Sequence, residues 1–359
     1  MDGTFGMLDQ LHGDPVAMMN SGTSQAIRTD NIQGLFHCRL RIQHILMEWI
    51  KMQQFTSIDR ESRLALSAFM RQAHQLDMLE TDDSITFFFQ HCTRSCVDIC
   101  LRTTSKQFLS PSKKRDICDF TLNGYIHLLA LLVRHAGGVT NNVTKINLLN
   151  KVLGIVAREL LQDHDVMQAS FQDLPYYTIL IGLFTELDTS TEPIFENINF
   201  QVLTTFCNLL HALKPANAPR FALAWLEILS NRAFMNRMLL DNPEKKNWGM
   251  YAQLFIDLFK YLWNDCLEHS VHMLHETTLK VLQVLVFDFP EFLLSYHHEF
   301  CDAISPHCVQ LLKAVSCGVP DIVPVPNLCT PGLNVDKLRQ PPHISTSFVK
   351  MVETIPLKK

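Results

Sequence analysis

The sequence has few charged side chains for its length. Of its 359 residues, 19% are charged and 47% are hydrophobic, whereas soluble domains are typically about 25% charged. This shortage of charge predicts that a partner covers some of the apolar faces. A strong positive charge is also missing, because the formal net charge is −5. Since binding to nucleic acid draws on positive charge, we expect no direct contact with nucleic acid.

No stretch free of Asp, Glu, Lys and Arg is long enough to span a membrane. The longest stretch without Asp, Glu, Lys or Arg covers residues 197–213 and contains several polar side chains, whereas a membrane span needs about 20 predominantly apolar residues. Residues 1–9 lack the basic and apolar regions of a secretory signal. The 11 cysteines are scattered and odd in number, which indicates reduced thiols. We therefore expect an intracellular protein with no membrane partner.

Motifs of common enzymes are missing as well. Neither Gly-x-x-x-x-Gly-Lys nor Gly-x-Gly-x-x-Gly occurs, so no phosphate-binding loop is predicted. Gly-x-Ser-x-Gly, which marks the nucleophile of many serine hydrolases, does not occur either. We therefore expect that the chain is not an enzyme, and we assign it no catalytic residue and no cofactor.

Two groups of side chains include potential metal ligands. Cys92, Cys96 and Cys100 recur every four residues beside His91, but structural zinc sites usually use closely spaced ligand pairs. A stripe of small packing residues is the favoured interpretation of these cysteines. The densest set of potential ligands lacks a paired cysteine turn and comprises His297, His298, Cys301, His307 and Cys308. We predict no metal site in either group.

From Gly34 onward, apolar residues recur at intervals of three and four, which is the period of an amphipathic helix. One example is the series Tyr251, Leu254, Phe255, Leu258 and Leu262. No strand-like alternation of useful length competes with this period. The pattern predicts helices over residues 35–54, 60–78, 83–104, 115–136, 142–162, 174–188, 198–213, 218–240, 244–266, 270–287 and 303–315.

The number of helices predicts the fold class. Eleven helices of this length cannot surround one compact core, whereas stacked pairs can bury their apolar faces against their neighbours. We therefore predict an all-α, HEAT-like helical repeat solenoid of stacked antiparallel helix pairs over residues 34–318. Residues 1–33 show no sustained period and are predicted to form a flexible tail. Residues 319–359 are rich in proline and are predicted to form an extended segment.

The predicted helix 244–266 carries aromatic residues on more than one face. Such a helix can bury one face in the stack and offer another to a partner. We assign Tyr251, Phe255 and Phe259 as candidate partner-binding residues on this basis. The competing interpretation is that these side chains belong to the core.

Several segments of the sequence resemble one known family. The longest are 143–156, Val-Thr-Lys-Ile-Asn-Leu-Leu-Asn-Lys-Val-Leu-Gly-Ile-Val, and 160–166, Leu-Leu-Gln-Asp-His-Asp-Val. Shorter ones are Ala-Trp-Leu-Glu at 224–227 and Asp-Phe-Pro-Glu-Phe-Leu at 288–293. Together they resemble the C-terminal superfamily homology domain of the large Not scaffold subunit of the eukaryotic Ccr-Not mRNA deadenylase complex. The resemblance runs from about residue 38 to the C-terminus.

The resemblance implies a function as well as a fold. It implies a scaffold that docks the Not-box subunits and, in some animals, short peptides of translational repressors. Such a scaffold supports mRNA deadenylation, decay and translational repression in the cytoplasm, including P-bodies, and in the nucleus. The family domain continues past Lys359, which implies a fragment or a short form. An alternative with the same architecture is a transport-receptor-like solenoid that binds a cargo peptide.

Overall fold

The computed structural model describes residues 21–53, 59–75, 80–137, 141–188, 193–240, 246–264 and 269–317. Within these ranges the regular elements are all helical. The two 3-10 helices are Gln168–Ser170 and Pro219–Phe221. The α-helices are α1 (Ser21–Met52), α2 (Asp59–Gln75), α3 (Asp82–Ser105), α4 (Pro111–His135), α5 (Asn142–Met167), α6 (Leu174–Asp188), α7 (Pro193–Ala212), α8 (Ala222–Leu229), α9 (Arg232–Leu239), α10 (Trp248–Asn264), α11 (His269–Asp288), α12 (Pro290–Ser295), α13 (His297–Ala303) and α14 (Val309–Cys317).

The helices stack in two rows. In one row α4, α6, α8, α11 and α14 each contact the next, and in the other row α3, α5, α7, α10 and α13 do the same. Because the chain alternates between the rows, consecutive long helices form the antiparallel pairs of a HEAT-like stack. Helix α1 packs against α2, α3 and α4 at the start of the stack. The predicted all-α class is therefore confirmed.

One continuous apolar core runs between the rows. Two fully buried tryptophans join helices across it through their indole N–H groups. Nε1 of Trp49 donates to the carbonyl oxygen of Gly124 at 2.9 Å, and Nε1 of Trp225 donates to that of Leu210 at 2.7 Å. Gly124 also allows close approach, since a Cβ at this position would lie 3.1 Å from the side chain of Ile50.

Helix α4 is packed among four other helices of the stack. It contacts α1, α3, α5 and α6. Among the described helices it alone is long and apolar enough to cross a membrane, judged by length and composition. However, 61% of its apolar window is buried inside the stack, and a core helix buried to this degree is apolar for packing reasons.

Two predicted helices are wrong because polar and proline residues interrupt them. The predicted helix 218–240 is split, since the side chain of Asn231 accepts hydrogen bonds from the backbone N–H groups of Ala233 and Phe234 and thereby starts α9. The predicted helix 303–315 is also wrong, because α13 ends at Ala303 and α14 begins only at Val309. Pro306 lies in the break between them.

The first helix starts earlier in the structure than the sequence predicted. Helix α1 begins at Ser21, so the part of the predicted tail that the structure describes is helical and the predicted start at residue 35 is wrong. Once nucleated, a helix can continue through residues that show no apolar period, so the sequence period did not reveal this start. Residues 1–20 and 319–359 lie outside the described residues.

Candidate docking surfaces

The three aromatic residues assigned to a partner lie in the core. Tyr251, Phe255 and Phe259 on α10 are 0%, 0% and 1% exposed. The ring centroids of Phe255 and Phe259 lie 6.0 and 5.5 Å from that of Phe300 on α13. These side chains therefore present no surface to a partner. The interpretation as a binding face fails because α10 lies between α7 and α13 and packs against both.

The hydroxyl of Tyr251 also has an internal partner. It donates to the carbonyl oxygen of Leu229, the last residue of α8, at 2.8 Å. Burial raises the pKa of Tyr251 well above its ordinary value, so the hydroxyl remains a donor at any physiological pH. Its hydrogen bond fixes α10 against the end of α8. The exposed positions of α10 include the polar residues Gln253 and Lys260 and also Trp263, which is 47% exposed.

Apolar side chains instead reach the surface on α11. Met273, Val284 and Phe287 are 46%, 42% and 81% exposed, and we call these three residues the α11 stripe. Their numbers fit the spacing 273, 277, 280, 284 and 287, which follows one face of a helix. The opposite face of α11 contributes Leu274, Leu282 and Leu285 to the core. Helix α11 therefore carries apolar side chains on two faces, although Thr277 and Lys280 lie between Met273 and Val284 on the exposed one.

Two further phenylalanines, Phe289 and Phe292, lie close to Phe287 in the sequence. The structure separates them, because Phe289 and Phe292 are 7% and 1% exposed. A second series of apolar residues in the sequence of α11 is the signal that could have revealed the α11 stripe. In a two-row stack, one face of each helix is enough to fill the core.

An apolar groove opens between α2, α3, α4 and α5. Its volume is about 190 Å³, which is smaller than the roughly 300–1,000 Å³ of typical small-molecule pockets. It suits a short aliphatic side chain better than a whole ligand. Its wall is almost entirely apolar and consists of Leu66, Met70, Ile85, Phe89, Leu132, His135, Ala136 and Leu148.

A buried polar network ties α3, α5 and α6 together. Nη1 of Arg94 lies 2.5 Å from Oδ1 of Asp163 and 3.3 Å from Oε2 of Glu159. Nε2 of Gln90 donates to Oε1 of Glu159 at 2.8 Å, and the hydroxyl of Tyr176 donates to Oδ2 of Asp163 at 2.7 Å. Both carboxylates are almost fully buried and engaged on both oxygens. They serve the stack and are not placed to meet a substrate.

The two groups of potential metal ligands do not converge. Cys92, Cys96 and Cys100 are 0%, 0% and 2% exposed and pack in the core. In the second group, Nε2 of His297 lies 3.6 Å from Sγ of Cys301, but no larger cluster forms. Across the part of the chain that the structure describes, no group of three or more His, Cys, Asp or Glu side chains is placed to hold a metal ion.

The buried cysteines should resist alkylation in the folded protein. Burial raises the pKa of Cys92 and of Cys96, and only the thiolate reacts. We expect iodoacetamide to label the partly exposed Cys118 at least about tenfold faster than Cys92 or Cys96, because those two react only after local opening. Mass spectrometry of the labelled peptides measures the three rates.

Repeating the labelling with a chelator present distinguishes packed thiols from thiols that bind zinc. If the cysteines held zinc, a chelator would accelerate the labelling of Cys92 and Cys96, whereas for packed thiols it changes nothing. Labelling of Cys92 at the rate of Cys118 in native buffer would contradict the core assignment. Denatured protein, in which all 11 cysteines react, provides the reference for complete labelling.

Two relatives and a family model bear on the family of this chain. Residues 184–359 match the model described as CCR4-Not complex component, Not1. The chain is 34% identical over 333 residues to the CCR4-NOT transcription complex subunit let-711 of Caenorhabditis elegans, which aligns with 88% of this chain. It is 23% identical to General negative regulator of transcription subunit 1 of Schizosaccharomyces pombe, with 97% of this chain aligned. The chain spans 12% and 16% of the lengths of these two relatives.

Two solved structures have the same helical architecture as this chain. The NOT1 superfamily homology domain from Chaetomium thermophilum superimposes with a TM-score of 0.68 at 19% identity, covering 89% of this chain and 62% of that one. The Not1 C-terminal domain in complex with Not4 gives 0.64 at 22% identity, covering 84% and 59%. None of these matches favours the transport-receptor alternative. The family model, the relatives and the fold together show that the chain belongs to the Not1 family of CCR4-Not complex components.

Proposed function

We propose that the chain is a scaffold segment of the CCR4-NOT complex that docks the Not-box subunits and supports mRNA deadenylation, decay and translational repression. Membership in the Not1 family carries this proposal. A structural relative, the Not1 C-terminal domain, is solved in complex with Not4, which supports docking of complex subunits on this fold. The proposed role is non-catalytic, and its proposed setting is the cytoplasm, including P-bodies, and the nucleus.

A two-row stack suits this role because its helices offer a large surface on which other proteins can dock. Stable protein interfaces bury about 1,200–2,000 Å² in total, and the outer faces of successive helices supply such an area without a deep pocket. We propose the α11 stripe as one contact, since a large exposed apolar side chain such as Phe287 is a typical anchor of an interface. Short peptides of translational repressors are a second proposed class of partner, because grooves between helices accept extended segments.

Replacing Phe287 with glutamate should weaken the binding of Not-box subunits. We expect a loss of about tenfold or more in affinity, because a charge replaces an apolar anchor at the interface. Isothermal titration calorimetry of the full chain with the Not-box subunits measures the affinity. The same change should leave the fold intact, since Phe287 is 81% exposed.

Phe108 offers a matched control for this variant. It is 84% exposed and lies on the connection between α3 and α4, outside the α11 stripe. Phe108→Glu should bind as the unaltered chain does. Equal loss in both variants, or no loss in either, would contradict the α11 stripe as a contact. Absence of any binding by the folded, unaltered chain would contradict the proposed function itself.

A further inference from the structure

Three hydroxyl residues in the sequence directly precede a proline, namely Ser110, Ser305 and Thr330. Only Ser110 also has a basic residue three positions later, Lys113. Proline-directed protein kinases accept a hydroxyl followed by proline, because proline brings no N–H that their cleft would leave unpaired. A basic residue at the third following position strengthens this recognition through charge. The pattern therefore singles out Ser110.

The structure also separates the two described candidates by exposure. Ser110 and the three residues after it are all exposed. Ser305 is 3% exposed, and its Oγ accepts a hydrogen bond from the backbone N–H of His307. A kinase can reach Ser110 without disturbing the stack, whereas access to Ser305 requires local unfolding. Thr330 lies outside the described residues.

The chain around Ser110 can open without exposing core. Ser110 has an extended backbone, with φ −63° and ψ 151°, and precedes the first turn of α4. Residues 111–113 of α4 are exposed, and the side chains that pack against the core begin only at Cys118 and Phe120, which are partly buried. Helix ends without buried side chains open at low free-energy cost. This segment can therefore enter a kinase cleft in extended form.

Basic residues outnumber acidic ones in the chain around Ser110, since residues 102–119 include five basic residues and two acidic ones, Asp116 and Asp119. The first turn of α4 contains no acidic residue, although acidic residues are the ones that the positive end of a helix favours. Nζ of Lys114 donates to the carbonyl oxygen of Thr104 at 2.7 Å, which holds the first turn of α4 beside the last turn of α3. We call the end of α3 and the start of α4 the α3–α4 corner. Within the described part of the chain, four further cationic side chains of this corner make no ion pair: Arg102, Lys106, Lys113 and Arg115.

We propose that Ser110 is a phosphorylation site for a proline-directed protein kinase. The γ-phosphoryl group of ATP passes to Oγ of Ser110: its bond to ADP breaks, a bond to Oγ forms, and the hydroxyl proton goes to the catalytic base of the kinase. The phosphate brings about −1.5 to −2 charges to a corner of five basic side chains. It also replaces a weak helix cap, since Oγ of Ser110 now lies 3.4 Å from the backbone nitrogen of Lys113. The proposal does not depend on the proposed function.

The test is phosphorylation of the folded full chain with ATP and a purified proline-directed kinase, followed by intact-mass and peptide analysis. We expect one phosphate on Ser110 and complete loss of it in Ser110→Ala. Pro111→Ala should lower the initial rate about tenfold, because the cleft then meets an unpaired N–H. Ser112→Ala is the matched control, since Ser112 is also exposed and its Oγ lies 3.2 Å from that of Ser110, and it should leave a single phosphate on Ser110.

Amide hydrogen exchange gives a second readout. Phosphate on Ser110 should slow exchange at residues 112–116, because a stronger cap and the nearby cations hold the first turn of α4. Phosphate on Ser112, Ser305 or Thr330 in place of Ser110 would overturn the proposed site, as would undiminished incorporation by Ser110→Ala. Unchanged or faster exchange in the phosphorylated protein would overturn the inference that the corner holds the phosphate.

Discussion

Replacing Phe255 with alanine is expected to lower the free energy of unfolding by about 3–5 kcal/mol, the usual cost of deleting a buried phenylalanine side chain. Phe255 is 0% exposed, and its ring centroid lies 5.2 Å from that of Tyr251 and 6.0 Å from that of Phe300. The variant leaves a cavity among rings on α10 and α13 that are themselves held by other contacts. Chemical denaturation followed by circular dichroism measures the change.

Phe287→Ala is the matched control for this experiment. It makes the same chemical change at a side chain that is 81% exposed, so the free energy of unfolding should change by no more than about 0.5 kcal/mol. Phe255→Leu keeps most of the volume and should cost less than Phe255→Ala. A Phe255→Ala variant of native stability that no longer binds a Not-box subunit would contradict the core assignment and restore Phe255 as a surface contact.

The period of the apolar residues was enough to predict the fold class. A helix in a two-row stack has one face toward the core. The apolar residues from Gly34 onward recur at intervals of three and four because they lie on that face. The same period also located most of the long helices, including α5 and α6. It could not show which helices share a row, because that depends on contacts between residues far apart in sequence, such as Trp49 and Gly124.

The candidate surface was harder to predict because one-dimensional spacing does not tell burial from exposure. Both α10 and α11 are apolar on more than one face. In α10 the second face is buried by α13, and in α11 the end of the second face, at Phe287, is exposed. Only the position of each helix between its neighbours decides the outcome. Tyr251, Phe255 and Phe259 were assigned to a surface for this reason.

Polar interruptions set a second limit on prediction. The split between α8 and α9 depends on the side chain of Asn231, which caps α9. Asparagine also occurs inside helices, for example Asn147 in α5, so its presence does not by itself end a helix. A cap forms where the side chain can reach free backbone N–H groups, and this geometry is visible only in the folded chain.

Replacing Arg94 with leucine is expected to produce the other large loss of stability. The change leaves Glu159 and Asp163, which are 2% and 3% exposed, without the cation that lies between them. Removing one partner of a buried ion pair typically costs about 3–5 kcal/mol. The side chain of Arg94 is 35% exposed, so water screens part of the charge and we expect a value near the lower end, about 3 kcal/mol. Urea denaturation measures the change in the free energy of unfolding.

The same two helices supply the control, because Lys151 on α5 also pairs with Asp82 on α3. Asp82 is exposed, with 88% of its side chain accessible, and exposed pairs contribute only about 0–1 kcal/mol, so Lys151→Leu should have a small effect. Adding Glu159→Gln and Asp163→Asn to Arg94→Leu should restore part of the stability, since neutral amides carry no uncompensated charge. If Arg94→Leu costs no more than Lys151→Leu, or if the neutral amides restore nothing, then the charge of the network does not hold α3 against α5.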